Sequence, residues 1–335
     1  MGKNKKQIWL RKLKMKKNNK PFFSVVVCTY NRALILKNCL NSLLNQSLAK
    51  KRYEILIMDD GSSDETVALL KDYIKKHNNP LIRLYSSPNI GLAHSRNKAV
   101  KQATGRFIAY IDDDAKADIN WLENAYKRLN ETKNSPVGLT GPILTYYRDK
   151  KPTWFKDKYE EDTKGKFSRF LKIGETFSGP NMILKKDIIL KNGGFAEDID
   201  MKADVLMVGE ETKFYEQIWQ NNPGGRLLYY AADVKVYHLV HPYKMKVLYR
   251  LKRWFASGQS YFLRNQSNSP IAKILMTLKV ITYFIISSLF AFISLFKVQY
   301  IQNWIIESLG PLAFVFGYFA SLFNLPVRML SKARF

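Results

Sequence analysis

The chain has little material for crosslinks or for soft-metal binding. Among its 335 residues there are two cysteines, Cys28 and Cys39, and four histidines. Two thiols exclude a disulfide framework and fit a reducing compartment. Cys28 lies in an apolar run and Cys39 in a helical pattern, so both read as buried. No CxxC or HxxxH spacing offers a zinc site. Two phosphate-binding signatures are also missing. GxGxxG never follows the first apolar strand, which excludes a dinucleotide fingerprint, and the absence of GxxxxGK[ST] excludes a P-loop. Acid is scarce too: 28 Asp and Glu stand against 54 Lys and Arg, a net charge of +26. Such a field selects anionic partners, whether phosphate-bearing substrates, an acidic lipid surface or nucleic acid. The cations concentrate in an N-terminal arm and beside apolar stretches near the C-terminus. Nucleic-acid binding calls for one basic groove or face instead, so no nucleic-acid partner is expected.

Apolar residues are plentiful at 46%, enough for one large domain with an appendage. Residues 1–20 carry nine Lys or Arg, no acid and no apolar run long enough for export, and read as a basic arm rather than a signal peptide. Ile8, Trp9 and Leu10 within it suit contact with a membrane interface. Near the other end, Val280 to Phe296 and Ser308 to Val327 are uncharged. Each approaches the ~20 residues that cross hydrocarbon, although Gly310, Pro311 and Pro326 weaken the second as a straight helix. Lys273 and Lys279 precede the pair; Arg328, Lys332 and Arg334 follow it. This bias favours a hydrophobic hairpin over 271–327, spanning or lying on the membrane, with both flanks cytoplasmic. The expected location is the inner or plasma membrane, with the main domain on its cytoplasmic side.

Between these ends strands and helices alternate. Phe23–Cys28, Tyr53–Met58, Leu81–Tyr85 and Arg106–Ile111 are short apolar runs that read as buried strands. Leu34–Leu44 and Leu92–Ala103 show helical spacing, and Ser62 with Glu65 reads as a capping box opening a third helix. The alternation predicts a mostly parallel sheet covered on both faces. Ligands of such sheets bind beyond the carboxyl ends of the strands. The unusual residues lie there: Thr29-Tyr30-Asn31-Arg32, Asp59-Asp60-Gly61-Ser62, and Asp112-Asp113-Asp114. Three consecutive carboxylates raise one another's pKa and strain the fold unless a cation joins them. Hard oxygen ligands suit Mg2+ or Mn2+, completed by water and substrate phosphates.

Four ordered segments carry a resemblance: Ser24–Arg32, Met58–Asp64, Asn89–Asn97 and Asp112–Asp114. Together they resemble glycosyltransferase family 2, the inverting enzymes with a GT-A fold. The resemblance covers roughly residues 22–245 and implies a Rossmann-like α/β domain over 21–265. It further implies a nucleotide-sugar donor, a divalent metal and inversion at the anomeric carbon, while the expected membrane attachment suggests a glycan or lipid-linked acceptor. By position, Thr29, Tyr30, Asn31 and Arg32 line the base pocket, Asp59 bonds the base with Asp60 beside it, and Arg96 lies near the nucleotide. Asp112 and Asp114 match the DxD carboxylates around Asp113. Asp114 is then the leading metal ligand, while Asp112 faces the ribose or the metal's water shell. Ser178–Met182 resembles the wall beside the donor sugar, which makes Asn181 a contact. Gly209-Glu210-Glu211 resembles the late acidic motif with Glu for the usual Asp. Glu211 is the candidate base, and the choice between it and Glu210 stays open. Relatives place a metal-ligating His at the position of His238, favoured here over His241. Arg250-Leu-Lys-Arg253-Trp254 resembles the QxxRW motif of processive members, with Arg in place of Gln. Arg253 and Trp254 are candidate donor contacts, and the mismatch argues against a processive synthase. The rival readings are a metal-dependent nucleotidyltransferase, which would release pyrophosphate, and an inactive nucleotide-sugar-binding scaffold.

Overall fold

The computed structural model describes residues 20–77, 82–197, 210–222, 227–265, 269–294 and 299–325. The basic arm before Lys20, Leu81, Gly209 and the hairpin's last residues, Pro326 and Val327, fall outside these, as does the side chain of Glu210. The chain packs as two compact units. The first takes the chain through Leu144, Asp162–Phe195 and Phe214–His238; the second takes Thr145–Glu161, Ala196–Lys213 and the chain from Leu239.

The first unit opens with β1 (Phe23–Thr29), whose valines are buried on both faces, as a strand covered by helices requires. Helix α1 (Ala33–Leu44) follows and buries Ile35, Leu36, Cys39, Leu40 and Leu43, a three-and-four spacing that marks one face. Next come β2 (Tyr53–Asp59) and α2 (Thr66–His77). Helix α2 begins three residues later than a capping box at Ser62 predicts. Asp64 Oδ1 accepts the Thr66 N–H at 2.9 Å, while Ser62 Oγ is taken by the Asn31 N–H at 2.9 Å. Strand β3 (Ile82–Ser86), α3 (Leu92–Gln102), β4 (Phe107–Tyr110), β5 (Ala115–Ala117) and α4 (Trp121–Glu131) continue the alternation. Then come β6 (Gly138–Thr140), β7 (Ile143–Tyr146), β8 (Arg169–Phe170), β9 (Met182–Lys185) and α5 (Lys186–Lys191). Helix α6 (Glu210–Asn221), β10 (Leu228–Tyr230) and β11 (Val236–Leu239) end the α/β part.

Eight strands form one sheet in the order β3-β2-β1-β4-β9-β6-β10-β8, and β5, β11 and β7 form a small second sheet. Strands β3, β2, β1 and β4 are parallel; β9 runs antiparallel to both its neighbours. The chain leaves β1 outward to β2 and β3, then returns to lay β4 on the other side of β1. That reversal opens a crevice between the carboxyl ends of β1 and β4. One charge interrupts the apolar β2. Burial would raise the Glu54 pKa, but hydrogen bonds from Ser24 and Thr104 and the Arg83 charge hold it below the usual range. This staple sits at the amino end of the sheet, so the carboxyl end keeps its acids for another purpose.

The second unit is built on α7 (Val247–Arg264), α8 (Pro270–Ser294) and α9 (Ile301–Leu322). A Cβ on Gly258 would lie 1.9 Å from the Phe314 carbonyl oxygen, and one on Gly317 would lie 2.0 Å from that of Phe255. Only glycine allows α7 and α9 to approach this closely. Thr145–Glu161 packs in the same unit. Phe155 is buried there among the rings of Tyr147, Trp154 and Tyr159, so this aromatic segment is tied down by packing. Buried Glu160 is held by Arg250, and Lys244 and Arg253 lie 3.6 Å from its carboxylate.

Candidate active site

Strand register assembles the site. Thr29 is level with Asp59, and Asp59 with Ser86, so three parallel strands end together. Val26 is level with Tyr110, so the acidic triplet after β4 emerges beside Thr29. Thr29 Oγ donates to Asp113 Oδ2 at 2.8 Å, and Arg32 Nε lies 3.8 Å from the same oxygen. Asp113 therefore faces Thr29 and Arg32, while Asp112 and Asp114 turn toward His238. Strand β11 pairs antiparallel with β5, and His238 falls opposite Ala115, the residue after the triplet. Its Nε2 lies 3.0 Å from Asp114 Oδ1 and 3.7 Å from Asp112 Oδ2. Ligand atoms of Asp112, Asp114 and His238 all lie within 4.8 Å of one another. Two carboxylates and one imidazole at that spacing fit a divalent cation that accepts mixed oxygen and nitrogen ligands, with open positions for water or phosphate.

Positive charge reaches the cluster from Arg96. Its buried guanidinium lies over the rings of Tyr110 and Phe195, with centroids 5.9 and 5.5 Å away, and reaches within 3.9 Å of Asp112 Oδ1. The aromatic pair was not legible in the sequence, because Phe195 is distant in the chain and only the sheet brings it to Tyr110. Asn31 and Asp60 act as braces of the neighbouring loops. Asn31 adopts a positive φ of 52°, which Asn tolerates, and its Oδ1 accepts the Ser63 and Asp64 N–H groups at 2.8 and 3.3 Å. Both Asp60 oxygens accept backbone N–H groups, from Ile90 and Gly91 at 3.0 Å each, which fixes the entry to α3. Asp59 Oδ1 accepts the Ser62 N–H at 3.1 Å. Tyr30 is half-buried in the same loop.

Asn181 takes a different place from the expected sugar wall. Its side chain is fully buried: Oδ1 accepts Trp121 Nε1 at 3.0 Å and Nδ2 donates to the Val234 carbonyl at 2.8 Å. It joins α4 to the turn before β11, shaping the site from behind. Glu210 and Glu211 open α6, where the helix dipole favours an anion. Glu211, Arg253 and Trp254 belong to the second unit. There Arg253 shares Glu160 with Arg250, and Trp254 packs on α9, where a Cβ on Gly310 would come 2.6 Å from its Nε1. Cys39 is buried as expected, but Cys28 is only half-buried at the end of β1. Enclosure of its sulfur pushes the thiol up to about 12 even with Arg96 nearby.

Burial, reinforced by Asp114 and Asp112, raises the Asp113 carboxyl to about 7 against the opposing Arg32 charge and the Thr29 hydrogen bond. Its unfolded value is about 3.9. Between these values the folded chain binds more protons than the unfolded one, so stability falls as pH rises. In chelator, thermal stability of the metal-free protein is expected to decline from pH 5 to 7. The Asp113→Asn variant should show a shallower decline, by up to about 1.4 kcal/mol per pH unit. Identical slopes in thermal melts of the two proteins would remove Asp113 as the cause.

A mixed α/β sheet whose parallel strands end at two carboxylates and an imidazole has the arrangement of the GT-A fold. The fold agrees with that of the mannosyltransferase PcManGT from Pyrobaculum calidifontis in complex with GDP-Man and Mn2+. The match has a TM-score of 0.61 at 16% identity and covers 92% of this chain and 89% of that one. It also agrees with TarS of S. aureus in complex with UDP, at a TM-score of 0.52 and 21% identity over 75% of this chain and 68% of that one. In sequence the chain is 25% identical to the glycosyltransferase AglE of Haloferax volcanii, over 67% of this chain and 68% of the relative. It is 26% identical to a glucosyl-dolichyl phosphate glucuronosyltransferase of the same organism, over 71% and 75% respectively. Residues 24–191 match glycosyl transferase family 2, and the chain belongs to that family.

Proposed function

We propose that this glycosyltransferase is metal-dependent and inverting. It moves a sugar from a nucleoside-diphosphate sugar to a hydroxyl of a lipid-linked or surface-polysaccharide acceptor at the cytoplasmic face of a membrane. The observation that carries the reading is the Asp112, Asp114 and His238 cluster at the carboxyl ends of the parallel strands. A bound Mg2+ or Mn2+ would supply Lewis-acid neutralisation of the charge that grows on the leaving diphosphate. Asp114 and His238 would hold it, with Asp112 as a further ligand or on its water shell. Thr29, Tyr30 and Asp59 would receive the nucleoside, and Arg32 and Arg96 would set the positive field around it. Glu211 would take the proton of the acceptor hydroxyl as its oxygen bonds to the anomeric carbon. The bond from that carbon to the diphosphate breaks on the opposite face, its electron pair leaving with the phosphate. The dolichyl phosphate-linked acceptor in the name of one relative supports a lipid-linked acceptor here.

The test is nucleoside-diphosphate release from a panel of nucleotide sugars, with Mn2+, Mg2+ or chelator and a lipid extract as acceptor source. Metal-dependent release from one donor is expected. Pyrophosphate release would instead identify a nucleotidyltransferase, and saturable binding without release in every extract would favour the inactive scaffold.

A further inference from the structure

Among the described residues, two helices are long and apolar enough to cross a membrane, Pro270–Leu289 within α8 and Ile301–Leu322 of α9, both in the second unit. That unit's own contacts are incompatible with crossing. The beginning of α9 is bound to the aromatic segment: Tyr159 OH donates to Asn303 Oδ1 at 2.7 Å, and Lys156 and Lys158 lie 2.8 and 3.2 Å from Glu307 Oε1. The polar segment 156–160 therefore marks the level at which α9 starts. Helix α7 starts at the same level, because Arg250 in its first turn donates to the Tyr159 carbonyl at 2.7 Å.

From there α7 and α9 run side by side in the same direction. Trp254 meets Gly310, Gly258 meets Phe314 and Phe262 meets Tyr318, each pair four residues further along both helices. Helix α8 runs back against α9, with Thr277 bonded to Tyr318 at 2.8 Å and Tyr283 beside Phe314. A hairpin of α8 and α9 with its tip across the bilayer would carry Lys156, Lys158 and Tyr159 across as well. A bundle in which all three helices cross requires α7 to span. Its uncharged stretch is only Trp254–Leu263, about 15 Å of helix against a hydrocarbon thickness of about 30 Å.

We propose that this unit is a one-leaflet membrane platform, seated in the interface of an anionic phospholipid bilayer through the outer face of α8. Ile271, Ile274, Leu278, Ile281, Ile285 and Leu289 recur at helical spacing and are each at least 38% exposed. They form one stripe, opposite the Met276 and Val280 face that packs against Phe262 and Tyr318. A stripe of this length is more apolar surface than a soluble monomer leaves uncovered. Charge selects lipid over a second copy of the chain. Exposed Lys273 and Lys279 lie on the same helix, nine cations without an acid fill residues 1–20, and the chain carries +26 overall. Two copies meeting at this face would repel, whereas an acidic leaflet attracts. A helix packed on its neighbours along one face, with an exposed apolar face flanked by Lys273 and Lys279, can lie in the plane of such a surface.

The full chain is expected to float with vesicles containing phosphatidylglycerol and to remain behind with phosphatidylcholine alone. Leu278→Glu with Ile285→Glu, both at exposed positions, should reduce flotation at least tenfold with an unchanged circular dichroism spectrum. Ser269→Cys, just before α8, and Gln299→Cys, just before α9, would be treated with a membrane-impermeant maleimide in sealed inside-out membrane vesicles and compared with the wild-type chain. Both should label as fully before detergent as after it. Protection of either cysteine until detergent is added overturns the proposal in favour of a spanning helix. A soluble dimer that ignores vesicles and falls apart in the Leu278→Glu, Ile285→Glu variant overturns it in favour of a second copy. Neither readout uses catalysis, so either failure leaves the transferase reading intact.

Discussion

Asp114→Asn is expected to lower sugar transfer by on the order of 10²–10³-fold, with little change in thermal stability measured in chelator. The substitution keeps the shape of the side chain and removes only its charge. Asp114 lies 3.0 Å from His238 and its side chain is almost buried, so water cannot replace the lost ligand cheaply. Asp112 and His238 remain, which should leave a weaker site that higher Mn2+ partly rescues. His238→Ala should behave similarly, because it removes the imidazole that β11 delivers opposite Ala115. Thr29→Ala should cost much less. Its hydroxyl acts on Asp113, one residue removed from the proposed ligands, and its loss loosens the triplet without removing a charge. The measurement is initial rate against Mn2+ concentration for each variant. Wild-type rates and an unshifted metal curve in Asp114→Asn would sink the ligand role.

The parallel half of the fold was legible because its strands are short, β-branched and buried on both faces, and because three consecutive acids at one strand end call for a cation. The triplet, Thr29 and Asp59 could be placed at one end of the sheet from pattern alone. His238 could be placed there only through resemblance, since its pairing with Ala115 spans more than a hundred residues and leaves no local periodicity. Other features turned on partners that no sequence window contains. Asn181 reads by resemblance as a donor-sugar contact, yet the Trp121 indole and the Val234 carbonyl draw it inside. The capping box at Ser62 failed because Asn31, from the preceding strand end, takes its hydroxyl. Arg250 looks like a defect in a QxxRW motif, but its guanidinium ties α7 to the segment at Glu160 through both a carbonyl and a carboxylate. A glutamine there could not supply the charge that buried Glu160 requires.

Glu211→Gln is expected to lower kcat by about 10²–10⁴-fold while leaving donor KM within about threefold, because a general base acts on the acceptor and not on nucleotide binding. Nucleotide binding in the absence of acceptor should be unchanged in this variant. The informative companion is Glu211→Asp. The family motif carries Asp at this position, and with Glu211 as the base its longer side chain would reach the acceptor from one methylene further away. Shortening it draws the carboxylate back by about 1.5 Å, and a displacement of about 1 Å can cost on the order of 10²-fold in rate. A strong loss in Glu211→Asp would therefore mean that the helix start and the side-chain length have been matched to each other. Full activity in Glu211→Asp, with loss in Glu211→Gln, would retain the base and discard the argument about reach. Loss in Glu210→Gln with an active Glu211→Gln would transfer the role to the neighbouring residue. Glu211 opens a helix whose own N–H groups favour an anion, so a purely structural role predicts a different signature. In that case Glu211→Gln would lower the melting temperature and leave kcat nearly intact, and the two readouts taken on one preparation decide between them.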